Sequence, residues 1–210
     1  MRSGRTGAVA STVQTGPDSA QRAGGVLARA FHDDAMFCAV QPDPQRRARL
    51  LPWFFTATAR LGQREGELHM LEDDAGVAIW LTPSHGRLGL GALVHSRLAF
   101  VPLHLGPAGL RRFMRITGNF DSAREELVRE PYWHLFILGV APEHQGRGLG
   151  GELMAPVLAR ADRDGVHCYL ETSEERNVPF YERHGFAVGG GRRDPQGLPP
   201  FWPMVREPRG

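Results

Sequence analysis

Residues 132–186 read YWHLFILGVAPEHQGRGLGGELMAPVLARADRDGVHCYLETSEERNVPFYERHGF, and their order decides the fold. Tyr132–Val140 is a run rich in β-branched and aromatic residues, which predicts a buried strand. Pro142, with no N–H to give to a ladder, ends it. In Gln145-Gly146-Arg147-Gly148-Leu149-Gly150-Gly151 side chains are stripped away, so that backbone amides can approach a ligand. Leu149, Leu153, Val157, Leu158 and Ala161 then recur at helical spacing, and Asp164-Gly165 closes the helix. A second strand, ending at Glu171, and a short helix follow before Phe186. A glycine-rich turn feeding a helix N-terminus favours an anion, because first-turn N–H groups lack helical partners and the dipole is positive there. The stretch is therefore expected to hold a phosphorylated ligand.

Gly146-x-Gly148-x-x-Gly151 matches the dinucleotide fingerprint letter for letter, and Glu171 lies at the distance of a ribose-binding acid. Yet Ala141–Gln145 intervene between strand and first glycine, where that motif follows its strand at once. Too little chain also remains for the other βα units of a doubly wound sheet. A Walker-type loop needs a lysine, and the sequence has none.

The residues after Glu171 supply a second pattern. Gln145-Gly146-Arg147-Gly148-Leu149-Gly150 resembles the Q/R-x-x-G-x-G/A pyrophosphate loop of the GCN5-related N-acetyltransferase (GNAT) family. Asn177-x-x-x-Tyr181-x-x-x-Gly185-Phe186 resembles that family's second signature. Within it, the string GVAPEHQGRGLG…LETSEERNVPFYERHGF is most similar to the puromycin N-acetyltransferase group. The likeness is dense over 132–206, looser over 18–82 and absent over 84–128.

The resemblance implies an α/β fold with a mixed, largely antiparallel sheet of six or seven strands and helices on both faces. It implies acetyl-CoA as cosubstrate and a small-molecule primary amine, antibiotic-like or metabolic, as acceptor, with direct attack in a ternary complex. Gln145, Gly146, Arg147, Gly148, Leu149, Gly150 and Gly151 would anchor the pyrophosphate. Leu138, Gly139 and Val140 would pair with the pantetheine arm as an added strand does, and one of their N–H groups would meet the thioester oxygen. Asn177 is expected to cap the short helix, with Tyr181 one turn on as the acid for the leaving thiolate. A phenol of pKa about 10 is well matched to a thiol of about 8.5. Glu171, at the end of its strand, is expected as base or substrate anchor. His134 stands about 13 Å from Leu138 along a strand, which argues against direct proton transfer. Two other readings are a non-catalytic acyl-CoA-binding module and a dinucleotide-dependent oxidoreductase. An intact loop and Tyr181 weigh against the first of these.

Composition narrows the partners. With 25 basic residues, all arginine, against 23 acidic ones, nothing draws the chain to nucleic acid. No histidine or cysteine spacing suits a metal. Cys38 and Cys168 sit among apolar neighbours and read as reduced, buried thiols. Leu88–Leu105 is interrupted by His95, Arg97, Pro102 and His104, so no membrane span is expected, and no secretory leader follows Arg2 and Arg5. A cytoplasmic protein, alone or as a homodimer, is the expectation.

Elsewhere, residues 1–7 read as a disordered tail before one domain over 8–207. Ala8–Gln14 reads as a weak first strand. A helix capped by Asp18 or Ser19 runs through Val26, Leu27, Ala30 and Phe31, and a second begins at Asp43-Pro44, with Pro52 expected to kink or interrupt it. Asp73–Gly76 reads as a hairpin turn. Ala108–Glu130 is helical with a bend at Gly118, and Phe186–Gly190 and Phe201–Arg206 read as two last strands. The acceptor pocket is expected from 31–55, 83–120 and 190–203, where Phe31, Phe37, Trp53, Phe54, Phe113, Phe201 and Trp202 are candidate walls, with Trp80 from the hairpin. Asp33, Asp34 and Asp43 are candidate cation binders or solvated loop acids.

Overall fold

A computed structural model describes residues 16–83, 90–129, 131–191, 193 and 197–209 of the chain. The expected tail and the expected strand Ala8–Gln14 lie outside the described residues. Among the described residues six strands form one sheet: β1 Gly66–Met70, β2 Gly76–Leu81, β3 Tyr132–Val140, β4 His167–Thr172, β5 Ala187–Val188 and β6 Trp202–Arg206. Their order is β1-β2-β3-β4-β6-β5, and only β3 and β4 run parallel. This is the mixed, largely antiparallel α/β sheet implied by the motifs. It is not a doubly wound parallel sheet, as the gap before Gly146 argued. Among the described residues no helix is long and apolar enough to cross a membrane.

The α-helices of the described residues are α1 Pro17–Ala30, α2 Ala35–Val40, α3 Pro44–Glu65, α4 Leu90–Ser96, α5 Val101–Leu127, α6 Leu149–Asp164 and α7 Val178–Arg183. One sheet face carries α6 and α7, where Trp80, Trp133, Leu153, Met154, Val157 and Leu170 form one core cluster. The other carries α1 and α3 over Leu68, Val77 and Ile79. A third cluster, including Val40, Leu50, Val101 and Ile116, seats α5 against α2 and α3.

Helix starts follow the local chemistry with some corrections. Asp43 caps α3 by accepting from the N–H groups of Gln45 and Arg46 at 2.8 and 3.1 Å, with Pro44 in the first turn. Neither Asp18 nor Ser19 caps α1. The cap position is Gly16, and Ser19 donates its hydroxyl to the Gly16 carbonyl at 2.5 Å. Asp34 caps α2. Pro52 does not interrupt α3, which runs through it. Both Pro52 and Ala48, whose carbonyl loses its donor, are exposed, so water can take the missing bond. The break in α5 lies at Gly106, with φ 66°, followed by Pro107, and not at Gly118.

Two features of β3 part the sheet near its centre. Ile79 pairs with Ile137 but Trp80 with Leu135, so Phe136 is a bulge residue. A bulge bends its strand and sharpens the twist. Beyond it, among the described residues, β3 has no strand partner on its β4 side, because β3 and β4 pair only over Tyr132–His134 and His167–Tyr169.

Charged clamps tie β6 and the edge strand β1 to α6. Arg206 on β6 holds both Asp162 oxygens at 2.7 Å, and Arg160 holds both Glu67 oxygens of β1 at 2.7 and 2.8 Å. His69 Nε2 is 2.8 Å from Glu67, and the Arg160 guanidinium lies 5.0 Å from the Trp133 ring centroid. Burial alone would raise the Glu67 carboxyl, but the His69 and Arg160 bonds outweigh it and bring it down to about 2. A carboxyl depressed on folding stabilises the protein above its unfolded value of about 4.3, and that contribution is lost as pH falls towards the folded value. Between pH 4.5 and 2 the wild type should therefore lose roughly 2 kcal/mol through this group, after discounting its solvent contact. Urea unfolding across that range should show a flatter pH dependence for Glu67→Gln, and parallel curves would remove the clamp from the acid response.

Candidate active site

The divergence of β3 from β4 opens onto a cavity of about 180 Å³ on the α1–α3 side of the sheet. Leu138 of β3, Glu171 and Thr172 of β4, and Asn177 and Tyr181 all line it. The sequence candidates on three separate elements thus meet at one place. Tyr181 is buried, and its pKa is raised by that burial first and by the nearby Asp34 charge second. The phenol stays protonated across ordinary pH. Its match to a thiol is poorer than an unperturbed tyrosine would give.

Asn177 stands at the N-cap position of α7, but its side chain makes no capping bond. Its Nδ2 instead donates to Thr172 Oγ1 at 3.5 Å. The expected cap is corrected to a contact with the end of β4. Pro179 at the start of α7 needs no N–H partner, which lessens the need for a cap.

Glu171 faces the cavity with His134 Nε2 only 2.8 Å from its Oε2, both side chains nearly inaccessible. The expected separation of His134 from Leu138 does not bear on this contact. Distance along β3 is the wrong measure, since His134 pairs across the strands with Tyr169, two residues before Glu171, and also lines the cavity. The His134 ring packs at 5.5 Å from Phe136 and 5.3 Å from Tyr169.

Asp34 is not a solvated loop acid. Its Oδ1 accepts from the N–H groups of Met36 and Phe37 at 3.0 and 3.3 Å, and Ser173 donates to its Oδ2 at 3.1 Å. Burial raises its carboxyl above the ordinary value, against the pull of those donors. Arg47 steadies this corner, donating to the carbonyls of His32, Gln41 and Pro42 at 2.6, 2.8 and 3.2 Å. Asp33 and Asp43 stay outside the cavity lining.

Of the candidate aromatic walls, Phe31, Phe37, Phe54 and Phe113 line the cavity. Trp53 stacks on His104 at 3.8 Å, Trp80 is fully buried among the residues under α6, Phe201 packs on Phe120, and Trp202 is buried in β6. Sequence reasoning missed Phe120, Phe136, and the Asp121–Arg124 pair of α5, whose ions are 2.6 Å apart. Their acid-x-x-Arg spacing on a predicted helix was the one signal that could have found them.

The glycine turn precedes α6 as predicted. Gly148, the α6 N-cap, has φ 83°, and Gly146 has φ 75°. A Cβ at either would meet no protein atom within 4 Å, so the turn borders open space. Gln145 donates to the Val140 carbonyl at 3.1 Å, tying the turn to the end of β3. Arg147 is exposed and donates to the Glu143 carbonyl at 3.2 Å. Gly150 and Gly151 have a different reason: a Cβ there would lie 3.0 Å from Phe180 and 2.7 Å from His184, so they let α7 approach α6. Gly139 likewise makes room for α1, since its Cβ would lie 2.7 Å from Leu27. Cys38 and Cys168 are free thiols, and burial pushes Cys168 up to about 12.

Comparison with known proteins comes to the same place. The sequence profile of the acetyltransferase (GNAT) family matches residues 107–186. An uncharacterized N-acetyltransferase of Schizosaccharomyces pombe is 26% identical over 197 residues, covering 90% of this chain and 79% of that one. The 5-NmdU N-acetyltransferase of Pseudomonas phage PaMx11 is 34% identical over 83 residues, or 40% of this chain and 59% of its own length. Among solved structures, a histone acetyltransferase HPA2 and related acetyltransferase from Corynebacterium glutamicum superposes with TM-score 0.66. It covers 96% of this chain and 98% of its own at 22% identity, a likeness of fold.

Proposed function

We propose that the chain is a GNAT-type N-acetyltransferase that moves an acetyl group from acetyl-CoA to the primary amine of a small molecule, a reading supported by the family profile over 107–186 and by its N-acetyltransferase relatives. The observation that carries the reading is the opening between β3 and β4, where Leu138, Glu171 and Tyr181 face one cavity. Acetyl-CoA, when bound, supplies the acetyl group as an activated thioester. The residues present suit it. Positive φ at Gly146 and Gly148, open space beside both, and the N-terminus of a 16-residue helix favour a pyrophosphate, with the Arg147 guanidinium beside it. The unpaired β4-facing edge of β3 around Leu138–Val140 offers backbone groups to amides of an extended arm.

Glu171 takes the proton from the incoming ammonium, held for that purpose by His134. An N–H of β3 beyond the bulge faces the thioester oxygen, where charge develops during transfer. Tyr181 donates a hydrogen bond to the departing sulfur. Because its pKa is raised, the phenol gives up its proton only as it regains one from the newly acylated nitrogen. The acceptor is a small-molecule amine, antibiotic-like or metabolic, as the motif string shared with the puromycin group suggests.

Thermal unfolding tests the cosubstrate. A ligand that binds only the folded state stabilises it by about 2.7 kcal/mol at a hundredfold excess over its dissociation constant. Acetyl-CoA should raise the melting temperature and NAD should not. Equal shifts for both, or none for acetyl-CoA, would overturn the reading.

A further inference from the structure

Phe31, Phe54, Phe113, Phe120 and Phe136 line the cavity while only partly covered, and Phe37 completes the wall from α2. Protein interiors normally close-pack such rings, and an apolar space without a filler forfeits its contacts. A ring-lined hollow with a few polar groups at its end is the form of a site for an apolar ligand. The rings come from five elements, so no single helix imposes the arrangement.

Among the described residues, the carboxylates facing this cavity are Asp34, Asp121 and Glu171, and Arg124 is the guanidinium. Arg124 is paired with Asp121, so the charge left over is that of Asp34 and Glu171, beside His134. Asp34 already accepts three hydrogen bonds, yet a carboxylate has about four acceptor sites. This surplus attracts one ammonium. With Asp34 and Glu171 both assigned to the reacting ammonium, a second ammonium among the phenylalanine rings would have no carboxylate partner, and a carboxylate on the ligand would meet net negative charge.

Resting on the acetyl-transfer reading of this site, we infer that its acceptor is an amine with a single positive charge on one aromatic or bulky apolar body. Polyamines and free amino acids are poor ligands.

Calorimetric titration separates this inference from the transfer reading, because it needs no turnover. The probes are 2-phenylethylamine, ethylamine, spermidine and phenylalanine, the last adding only a carboxylate to the first. Burying one ring should make 2-phenylethylamine bind roughly 10- to 100-fold tighter than ethylamine, with spermidine and phenylalanine no better than ethylamine. Phe113→Ala should bring the ring preference to within about threefold while acetyl-CoA still raises the melting temperature, which shows that the variant is folded. Asp34→Asn should weaken all amines alike. Equal binding of 2-phenylethylamine and ethylamine, tighter binding of spermidine or phenylalanine, or no heat with 2-phenylethylamine overturns the inference. Ring-selective binding without thiol release from acetyl-CoA would leave it standing and sink the transfer reading instead. Preferential acetylation of spermidine or a peptide N-terminus would do the reverse.

Discussion

Tyr181→Phe is expected to lower the turnover number by about 10²–10⁴-fold, the usual contribution of a positioned proton donor. The substitution removes one oxygen from a ring that packs 5.1 Å from Phe180 and 6.1 Å from Phe186, so α7 and its contacts should survive. Acetyl-CoA affinity should hardly change, because the proposed pyrophosphate turn lies on a different element. The loss should also be uniform with pH. Burial and the Asp34 charge keep the phenol protonated across the ordinary range, so no limb of the wild-type profile belongs to it. Single-turnover kinetics from pH 6 to 9 would check both points. If the variant keeps its turnover while chemistry limits the rate, Tyr181 is a packing residue and the thiolate leaves unaided.

Gly148→Val should abolish acetyl-CoA binding and leave the fold in place. Gly148 caps α6 at φ 83° and ψ −1°, a region closed to a β-branched residue. Its Cβ would meet no protein atom, so the damage is to backbone conformation at the turn and not to the core. Valine must pull φ negative, turning the amides of Gly148 and Leu149 away from the anion they would meet. The melting temperature without ligand should fall little, and the acetyl-CoA-dependent rise should vanish. Gly151→Val is a useful contrast, since its Cβ would lie 2.7 Å from His184 and should cost stability even without ligand. A Gly148→Val protein with a normal acetyl-CoA shift would remove the turn from the binding site.

The central β3–turn–α6–β4 unit was legible because each junction carries its own chemical mark. Pro142 ends a strand, positive-φ glycines open a helix, and Gly165 at φ 66° closes it. What the sequence hid were relations between elements. His134 and Glu171 are 37 residues apart, and only the parallel pairing of β3 with β4 makes them neighbours. Phe136 shares the face of His134 by ordinary alternation, but Ile137 joins it there only because a bulge shifts the alternation of β3, and no residue in the run announces a bulge. Asp121 and Arg124 belong to a helix without a motif, broken at Gly106 where Gly118 looked equally able to bend it. Pro52 misled for a related reason. Proline marks where a helix loses a bond, but exposure decides whether the helix tolerates the loss.

The short junction between β3 and β4 also has a mechanical meaning. Three residues of each strand pair there, whereas β2 and β3 pair along most of their length. Under tension across the sheet this is the rip line, where few rungs share the load before the strands unzip. The Asp162–Arg206 and Glu67–Arg160 clamps anchor β6 and β1, which lie on opposite sides of that line, to α6, which spans it like a splint. A ligand arm laid along the free edge of β3 would add rungs where the fabric is thinnest. Occupancy would then stiffen the molecule most at the place its own chain leaves unstitched.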